Sequence, residues 1–334
     1  MWEPRKEALA KITKVENEPE MTEFESAFLC GLIKKNRPKK ILEIGVAAGG
    51  TTAIILQCMY DLKMFDCELI SVDLNEKYYR GGGRQTGFLA EEIKPQIQGI
   101  KHRFFLGNVI AKKIEEIGGD IDLVILDTVH FLPGEILDFP VVLPFLSENA
   151  IVVLHDIAYH HISHLSRGKE GITNQVLLDA VTGEKIVPMN LDKAQTTAMP
   201  NIGAIRINDD TKKYIDAVFC SLTLPWYYIP QDTELKIYRD FYMRYYDENN
   251  VKMFDTAVQL NRALLSKSKK ESDTLRRDLE QQKQRAERLQ NDLEKQKKRA
   301  DTLQYDLDCV HNSVSFRVGR VITWLPRKLR DVSR

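Results

Sequence analysis

The chain has 334 residues, of which 43% are hydrophobic and 29% charged, and its formal net charge at pH 7 is zero. This is the composition of a soluble globular protein, with length for one sizeable domain and an appendage or for two small domains. The charge is uneven, because residues 267–334 carry 18 Lys and Arg against 11 Asp and Glu, whereas the remainder carries 30 against 37. An acidic body and a basic tail predict different partners for the two parts.

Cysteine usage and the lack of long apolar runs exclude several classes of protein. The five cysteines are scattered and have no C-x-x-C spacing, which argues against a disulfide framework or a cysteine-built zinc site. No run of 18 apolar residues occurs, and the first residues lack the apolar core of a signal peptide. We therefore expect a cytoplasmic protein in a reducing compartment.

The first 230 residues alternate short apolar runs with helical patterns. Thr22 and Glu25 have the spacing of a capping box, and strands are predicted at residues 40–45, 68–73, 102–106, 121–127 and 150–155. Strands that alternate with helices form a parallel sheet with helices on both faces. We predict an α/β fold over residues 1–232, with a doubly wound, mostly parallel sheet. Two later stretches, 185–189 and 202–207, are predicted as edge strands.

Residues 233–266 read as one continuous helix that is rich in aromatic side chains. Two interpretations fit this pattern. The first, which we favour, is a helix packed on the sheet domain, and the second is a lid over the substrate.

From residue 273 a unit of 14 residues repeats, and leucine recurs in phase over about 40 residues. Fourteen residues are two heptads, so residues 267–311 are predicted to form a coiled coil that makes the chain a homo-oligomer. The predicted core positions are Leu275, Leu279, Gln282, Ala286, Leu289, Leu293, Gln296, Ala300, Leu303, Leu307, Val310 and Val314.

Residues 312–334 are predicted to form a basic amphipathic tail. Arginines and Trp324 flank an apolar stripe, a combination that suits an anionic membrane surface; the stripe consists of Val314, Val318, Val321, Ile322 and Leu325. The alternative is that this stripe continues the core of the coiled coil. Charges along the coiled coil alternate in sign, which is typical of a solvated face, and we expect no nucleic-acid binding.

Ligands of an open parallel sheet bind beyond the carboxyl ends of its strands. The first predicted strand contains Glu43 and runs into a turn with Gly45 and Gly49, whose backbone can approach a ligand closely. Asp73 closes the second strand, where an acid can accept hydrogen bonds from ribose hydroxyls. Asn108 follows the third strand, where its amide can meet an adenine edge.

The spacing Glu43-x-Gly45-x-x-x-Gly49 differs from the G-x-G-x-x-G of dinucleotide enzymes. It resembles motif I of the class I S-adenosylmethionine-dependent methyltransferases. The resemblance implies that the glycine loop holds the methionine part of S-adenosylmethionine and that Asp73 binds its ribose. It makes Glu43, Gly45, Gly49, Asp73 and Asn108 the cofactor set, although the family often has an acid in place of Asn108.

The ends of the fourth and fifth strands resemble the small-molecule O-methyltransferase branch, which contains catechol- and macrolide-type enzymes. In that branch an acid after each strand holds a divalent metal, and a His or Lys three residues beyond the first acid lies near the substrate hydroxyl. The resemblance makes Asp127 and Asp156 catalytic metal ligands, with Mg²⁺ suited to the oxygens, and His130 the candidate base. Ile157 departs from the pattern, because the family commonly has an Asn or Asp ligand there.

Four of the seven histidines lie within residues 155–164. His155 closes the fifth strand, where it either contacts metal or substrate or is a packed, hydrogen-bonded ring. His160, His161 and His164 have no established zinc spacing, and we interpret them as contacts to substrate or as exposed side chains.

The segment from Ser313 to Arg330 resembles the C-terminal ends of bacterial surface-polysaccharide glycosyltransferases and their companions. The resemblance implies O-methylation of a sugar or other small hydroxylated acceptor at the cytoplasmic face of the membrane, with the tail contacting the membrane or a glycosyltransferase. The other interpretation is a non-catalytic coiled-coil scaffold with a methyltransferase-like domain, which Ile157 and Asn108 favour.

Overall fold

The computed structural model describes residues 21–159, 171–188 and 201–331, with side chains described up to residue 324. His160, His161 and His164 lie outside these residues. The chain divides into two compact units, Met1–Leu265 and Ser266–Arg334, and each is considered by itself below.

The first unit is built on a seven-stranded sheet with the order β3-β2-β1-β4-β5-β7-β6. Strands β1 to β5 are parallel, whereas β7 runs antiparallel to both β5 and β6. The predicted doubly wound, mostly parallel α/β fold is therefore confirmed. The strands are β1 Lys40–Ile44, β2 Glu68–Asp73, β3 Lys101–Leu106, β4 Ile121–Leu126, β5 Leu146–His155, β6 Glu184–Ile186 and β7 Ile202–Arg206.

The prediction of two edge strands was half wrong, because only β6 lies at the edge. Strand β7 is inserted between β5 and β6, and four of its five residues are buried. Gly203 leaves room for the side chains of Ile157 and Leu178, which would lie 3.2 and 3.3 Å from an added Cβ. An apolar stretch of five residues is compatible with an edge or an internal strand, so the sequence could not decide its place.

Helices of the first unit cover both faces of the sheet. The helices of both units, in chain order, are α1 Glu23–Asn36, α2 Gly50–Asp61, α3 Phe88–Ile93, α4 Ile110–Ile117, α5 Gly134–Val142, α6 Gln175–Ala180, α7 Asp209–Lys213, α8 Asp216–Ser221, α9 Asp232–Tyr245, α10 Glu248–Asn312 and α11 Val314–Asp331. One buried cluster joins α1, α2 and α3 to the face that carries Ile41, and another joins α4, α5 and α9 to the face that carries Leu42. Ile41 and Leu42 are neighbours in β1 but pack in different clusters, because side chains alternate between the two faces along a strand.

The prediction of a continuous helix over residues 233–266 was wrong. Helix α9 ends at Tyr245, and Tyr246 has extended backbone angles. The carboxylate of Asp247 accepts a hydrogen bond from the backbone N–H of Asn250, at 2.9 Å, and so caps the start of α10. Helix α9 packs on α5, where Tyr242 donates a hydrogen bond to the carbonyl of Leu137 at 2.6 Å.

The second unit contains the later part of α10 and the whole of α11. The predicted core positions of the coiled coil face solvent in the single chain, and the coiled coil stays a prediction. Within the described residues, neither these helices nor any other is both long and apolar enough to cross a membrane.

Candidate cofactor and acceptor site

The turn after β1 requires glycine at two positions. Gly45 has a φ of +96°, and a Cβ there would lie 1.8 Å from the backbone oxygen of Asp127. Gly49 has a φ of +88°, and its Cβ would lie 2.8 Å from the Cα of Gly87. Both angles fall where side chains are disfavoured, and both contacts are with backbone that cannot rotate away. The turn therefore packs closely against the end of β4 on one side and against the loop that contains Gly87 on the other.

Asp73 holds this turn against the end of β2. Its Oδ2 accepts hydrogen bonds from the backbone N–H groups of Val46, at 2.9 Å, and Ala47, at 3.1 Å. Its Oδ1 accepts one from the N–H of Asn75 at 2.8 Å. Each carboxylate oxygen has two lone pairs, so the group keeps capacity for a ribose hydroxyl. The predicted contact with ribose stays a prediction, and the contacts with the turn were not predicted from the sequence.

Glu43 lies beneath the turn and is fully buried. Its Oε2 accepts hydrogen bonds from the hydroxyls of Thr52, at 2.7 Å, and Ser71, at 2.6 Å. These contacts join β1 to β2 and to the first turn of α2. The structure thus places Glu43 as a support of the glycine turn, whereas direct contact with a cofactor stays a prediction.

Asn108 follows β3 on the same edge of the sheet and is half-buried. It is preceded by Gly107, whose N–H donates to the carbonyl of Asp73 at 3.0 Å and whose φ is +81°. Sequence reasoning missed Gly87, whose N–H donates to the carbonyl of Ala47 at 3.0 Å. A cluster of four glycines between residues 81 and 87 was the available signal for this loop.

The residues predicted to do chemistry lie together at the ends of β4 and β5. The Nε2 of His130 is 3.3 Å from Oδ2 of Asp156, and its Nδ1 is 3.6 Å from Oδ1 of Asp127. The ring of His130 stacks on Tyr159 with 5.2 Å between centroids. His130 and Asp156 have φ angles of +69° and +54°, which are uncommon for residues with a side chain and often mark functional sites.

Glu135 fixes the loop that carries His130, and sequence reasoning missed it. Its Oε1 accepts hydrogen bonds from the backbone N–H groups of Thr128, at 2.8 Å, and His130, at 3.0 Å. The side chain is almost fully buried. These two bonds orient the loop from the first turn of α5.

His155 is buried between two carboxylates. Its Nδ1 lies 3.2 Å from Oδ1 of Asp127, and its Nε2 lies 3.5 Å from Oε2 of Glu25 in α1. Burial alone would lower the pKa of His155, but Asp127, Asp156 and the hydrogen bonds outweigh it, so the pKa lies well above its ordinary value. Of the two interpretations of His155, the structure shows the packed, hydrogen-bonded ring.

Glu25 is the third residue of the site that sequence reasoning missed, although it was identified in the capping box. Its Oε2 accepts hydrogen bonds from the N–H and the hydroxyl of Thr22, each at 2.7 Å. Burial alone would raise the pKa of Glu25, but attraction to His155 and the bonds from His155 and Thr22 lower it to about 2. Glu25 therefore both caps the start of α1 and contacts His155 at the site.

Asn201, immediately before β7, contacts Asp156. Its Nδ2 donates a hydrogen bond to Oδ1 of Asp156, and its Oδ1 accepts one from the N–H of Ala158 at 3.1 Å. Ile157 is fully buried and packs in the core. An amide side chain therefore contacts Asp156, although it comes from a position 45 residues later in the chain.

The donor set of the cluster fits a divalent metal ion. One oxygen each of Asp127 and Asp156 and one nitrogen of His130 lie within 4.8 Å of one another. Two carboxylates and one imidazole are ligands for several divalent metals. However, His155 already supplies positive charge to Asp127, so the carboxylate is paired without a metal.

Residues 42–157 match the family model described as a methyltransferase domain. Over this segment the chain is similar to methyltransferase domains. The segment contains the glycine turn and all three residues of the cluster. A comparison with curated protein sequences gives no match.

Solved structures that resemble the chain include three methyltransferases. O-methyltransferase TomG from Streptomyces achromogenes is 15% identical, with a TM-score of 0.43, and the match covers 61% of this chain and 91% of TomG. A putative caffeoyl-CoA O-methyltransferase from Staphylococcus aureus is 16% identical, with a TM-score of 0.43 and coverage of 60% and 91%. An O-methyltransferase from Bacillus cereus is 12% identical, with a TM-score of 0.44 and coverage of 61% and 92%. Similarity at this level carries no information about the substrate.

Proposed function

We propose that this protein is an S-adenosylmethionine-dependent O-methyltransferase that acts on a sugar or another small hydroxylated acceptor. The observation that supports it most is the direct contact between the glycine turn and the cluster of Asp127, His130 and Asp156. A Cβ on Gly45 would overlap the backbone oxygen of Asp127, so a ligand on the turn lies next to the His130 loop. Methyl transfer requires the methyl donor and the base to lie close together.

The chain's residues on the cofactor side shape the site for a nucleoside with an amino acid chain. Gly45 and Gly49 let the backbone approach the ligand closely, and Asp73 and Asn108 close neighbouring strands at the same edge. The cofactor, when bound, supplies a methyl group on a sulfonium.

His130 is the residue placed to remove the acceptor's proton. The hydroxyl proton of the acceptor would pass to Nε2 of His130 as the acceptor oxygen takes the methyl group that the bound cofactor would supply. Asp156, at 3.3 Å, and Asp127, at 3.6 Å, stabilise the imidazolium that results. Glu135 keeps the His130 loop in place during the transfer.

A metal ion is the other use of the same cluster. Asp127, His130 and Asp156 would hold it, and it would supply positive charge that lowers the pKa of the acceptor hydroxyl. His130 cannot be both a metal ligand and the base. Removing metal ions with EDTA therefore distinguishes the two roles. Activity that survives EDTA assigns His130 to proton transfer, whereas activity lost in EDTA and restored by Mg²⁺ or Mn²⁺ assigns it to the metal.

The second unit is proposed to hold the enzyme in an oligomer at the cytoplasmic face of a membrane. Helix α11 exposes Val318, Val321 and Ile322, and Arg317 and Arg320 lie on the same helix. Its resemblance to the ends of surface-polysaccharide enzymes supports a sugar acceptor and contact with the membrane or a glycosyltransferase. Flotation with vesicles rich in anionic lipid, at low and high salt, tests the membrane contact.

A non-catalytic scaffold is the second candidate function. It is favoured by Ile157, where the family commonly has a polar ligand, and by Asn108, where the family often has an acid. Titration calorimetry with S-adenosylmethionine separates the candidates, because an enzyme binds the cofactor and a scaffold with a closed crevice does not. Lack of binding by the folded full-length chain, with and without Mg²⁺, would overturn the enzyme proposal.

A further inference from the structure

The part of α10 after residue 270 carries an exposed apolar stripe. Its six leucines occur in pairs that are four residues apart and repeat every 14 residues, and between 52% and 70% of each side chain is exposed: Leu275, Leu279, Leu289, Leu293, Leu303 and Leu307. Spacings of three and four residues place side chains on one face of a helix. A periodic stripe of exposed leucines over this length of helix marks an interaction surface.

The stripe has the register of a two-stranded coiled coil, with heptad positions named a to g. Leucine or alanine occupies each a position from 279 to 307, and leucine or glutamine each d position from 275 to 303. Two leucine layers therefore alternate with one glutamine and one alanine layer. The apolar layers supply the attraction, but they would allow a partner helix to run in either direction.

The charges beside the stripe follow the same 14-residue period. The g positions alternate between acidic and basic side chains: Asp278, Arg285, Asp292, Arg299 and Asp306. The e positions alternate between basic and neutral side chains after the first: Arg276, Lys283, Gln290, Lys297 and Gln304. Residues at e and g flank the contact and select partner and orientation.

In a parallel pair in register, each g residue faces the e residue five positions later on the other helix. Asp278 then faces Lys283, and Asp292 faces Lys297, so both contacts join opposite charges. Each Arg at g faces a neutral side chain instead, as Arg285 faces Gln290. Over residues 271–311 this arrangement creates no pair of like charges.

An antiparallel pair that keeps its leucine layers opposite leucine layers has no such complementarity. In that register e residues face e residues and g residues face g residues, so Lys283 faces Lys297 and Arg285 faces Arg299. These contacts join like charges, and Asp292 faces its own copy. The charge pattern therefore selects both the direction of the partner helix and its sequence.

We propose that residues 271–311 pair in parallel and in register with the same residues of a second copy of this chain. The inference deepens the self-association in the proposed function, although it is independent of methyl transfer. Parallel pairing brings the two copies of α11 to the same end of the coiled coil. Two basic segments held together bind a surface more tightly than either alone, because the second contact is intramolecular.

Cysteine cross-linking in the full chain tests direction and register. The parent variant carries Cys220→Ser and Cys309→Ser, which removes the two exposed thiols and leaves the buried Cys30, Cys58 and Cys67. Gln282→Cys and Gln296→Cys are added separately, and mild oxidation is expected to give a disulfide-linked dimer with each. Glu294→Cys, at an outward b position of the same helix, is the matched control and is expected to stay largely monomeric on a non-reducing gel.

The two cysteine positions discriminate because they are 14 residues, or about 21 Å, apart along the helix. An antiparallel pair can align at most one of them with its own copy. Cross-linking at only one position, or equal cross-linking of the Glu294→Cys control, would overturn the proposal.

A charge exchange tests the contacts themselves by sedimentation velocity. One variant carries Asp278→Lys with Asp292→Lys, and the other carries Lys283→Glu with Lys297→Glu. Each alone faces like charges and is expected to self-associate at least about tenfold more weakly than wild type, which is about 1.4 kcal/mol. An equimolar mixture is expected to restore the dimer. Undiminished self-association of both variants contradicts the proposal.

S-adenosylmethionine titration on the same variants keeps the two proposals separate. Cofactor affinity is expected to stay unchanged when pairing is lost, because the substitutions lie outside the methyltransferase domain. A wild-type chain that pairs in register but binds no cofactor would overturn the enzyme proposal and leave the pairing intact.

Discussion

The Nε2 of His155, at the end of β5, lies 3.5 Å from Oε2 of Glu25 in the first turn of α1. This contact links the N-terminal helix to the edge of the sheet where the predicted catalytic residues lie. Because the other nitrogen of His155 lies 3.2 Å from Asp127, Glu25 acts on Asp127 through a single buried ring.

Removing the charge of Glu25 is expected to destabilise the fold. Glu25→Gln leaves a buried imidazolium with one carboxylate fewer, and loss of one member of a buried ion pair costs about 3–5 kcal/mol. The change is measured by urea unfolding at pH 7. Glu23→Gln, an exposed position in the same helical turn, is the control and is expected to change the free energy of unfolding by less than about 0.5 kcal/mol.

The pH dependence of the Glu25 effect follows from the lowered pKa. A depressed folded-state pKa stabilises the fold above the unfolded value, about 4.3, and this stabilisation disappears as the pH falls towards 2. Wild type and Glu25→Gln are therefore expected to converge in stability at low pH. A difference that stays constant from pH 7 to pH 3 would contradict this origin.

Asp138 is expected to make stability depend on pH in the opposite direction. Burial raises its pKa to about 7 and outweighs the hydrogen bond from Tyr238, at 2.5 Å. The folded carboxyl therefore stays protonated between pH 4 and 7 while the unfolded one ionises, so this group lowers the free energy of unfolding as pH rises through that window.

Asp138→Asn removes this dependence. Relative to wild type, the variant is expected to gain about 3–4 kcal/mol in the free energy of unfolding between pH 4 and pH 8. Urea unfolding at both values measures the gain. Asp66→Asn, at an exposed site, is the control, and an Asp138→Asn profile parallel to wild type would show that the carboxyl is ionised in the fold.

Replacing Gly45 tests the closeness of the turn to β4. Gly45→Ala places a Cβ against the backbone oxygen of Asp127 at a positive φ, and we expect it to destabilise the fold by at least about 2 kcal/mol. Gly31→Ala is the matched control, because no atom lies within 4 Å of its added Cβ in α1. Ala favours the helix, so the control is expected to stabilise by about 0.5–1 kcal/mol. Equal stability of the two variants would contradict the close approach.

Removing the imidazole of His130 is expected to reduce turnover and spare the cofactor. His130→Ala should lower kcat by about 10²–10⁴, the usual contribution of a general base, and change the Kd of S-adenosylmethionine by less than about threefold. Methyl transfer to a panel of sugars and calorimetry give the two values. His311→Ala, in the exposed part of α10, is the control. Unchanged turnover of His130→Ala would remove His130 from the mechanism.

The five parallel strands and the order of the site residues along them were predictable from the sequence. Central strands of a parallel sheet are buried on both faces, so each reads as a short apolar run, and the residues that close these runs must meet at one edge. Gly45 and Asp73 could be placed at the site in this way without any knowledge of their contacts.

Only the tertiary structure decided what surrounds these residues. Glu25 is separated from His155 by 130 residues, and Asn201 from Asp156 by 45. The same holds for β7, whose apolar residues did not reveal that it lies inside the sheet. A local pattern reflects the periodicity and burial of one segment, whereas contacts between distant segments depend on how all the segments pack together. The heptads of α10 differ from these contacts. Both partners of the proposed pairing have the same sequence, so the charges of a single chain predict both sides of the contact.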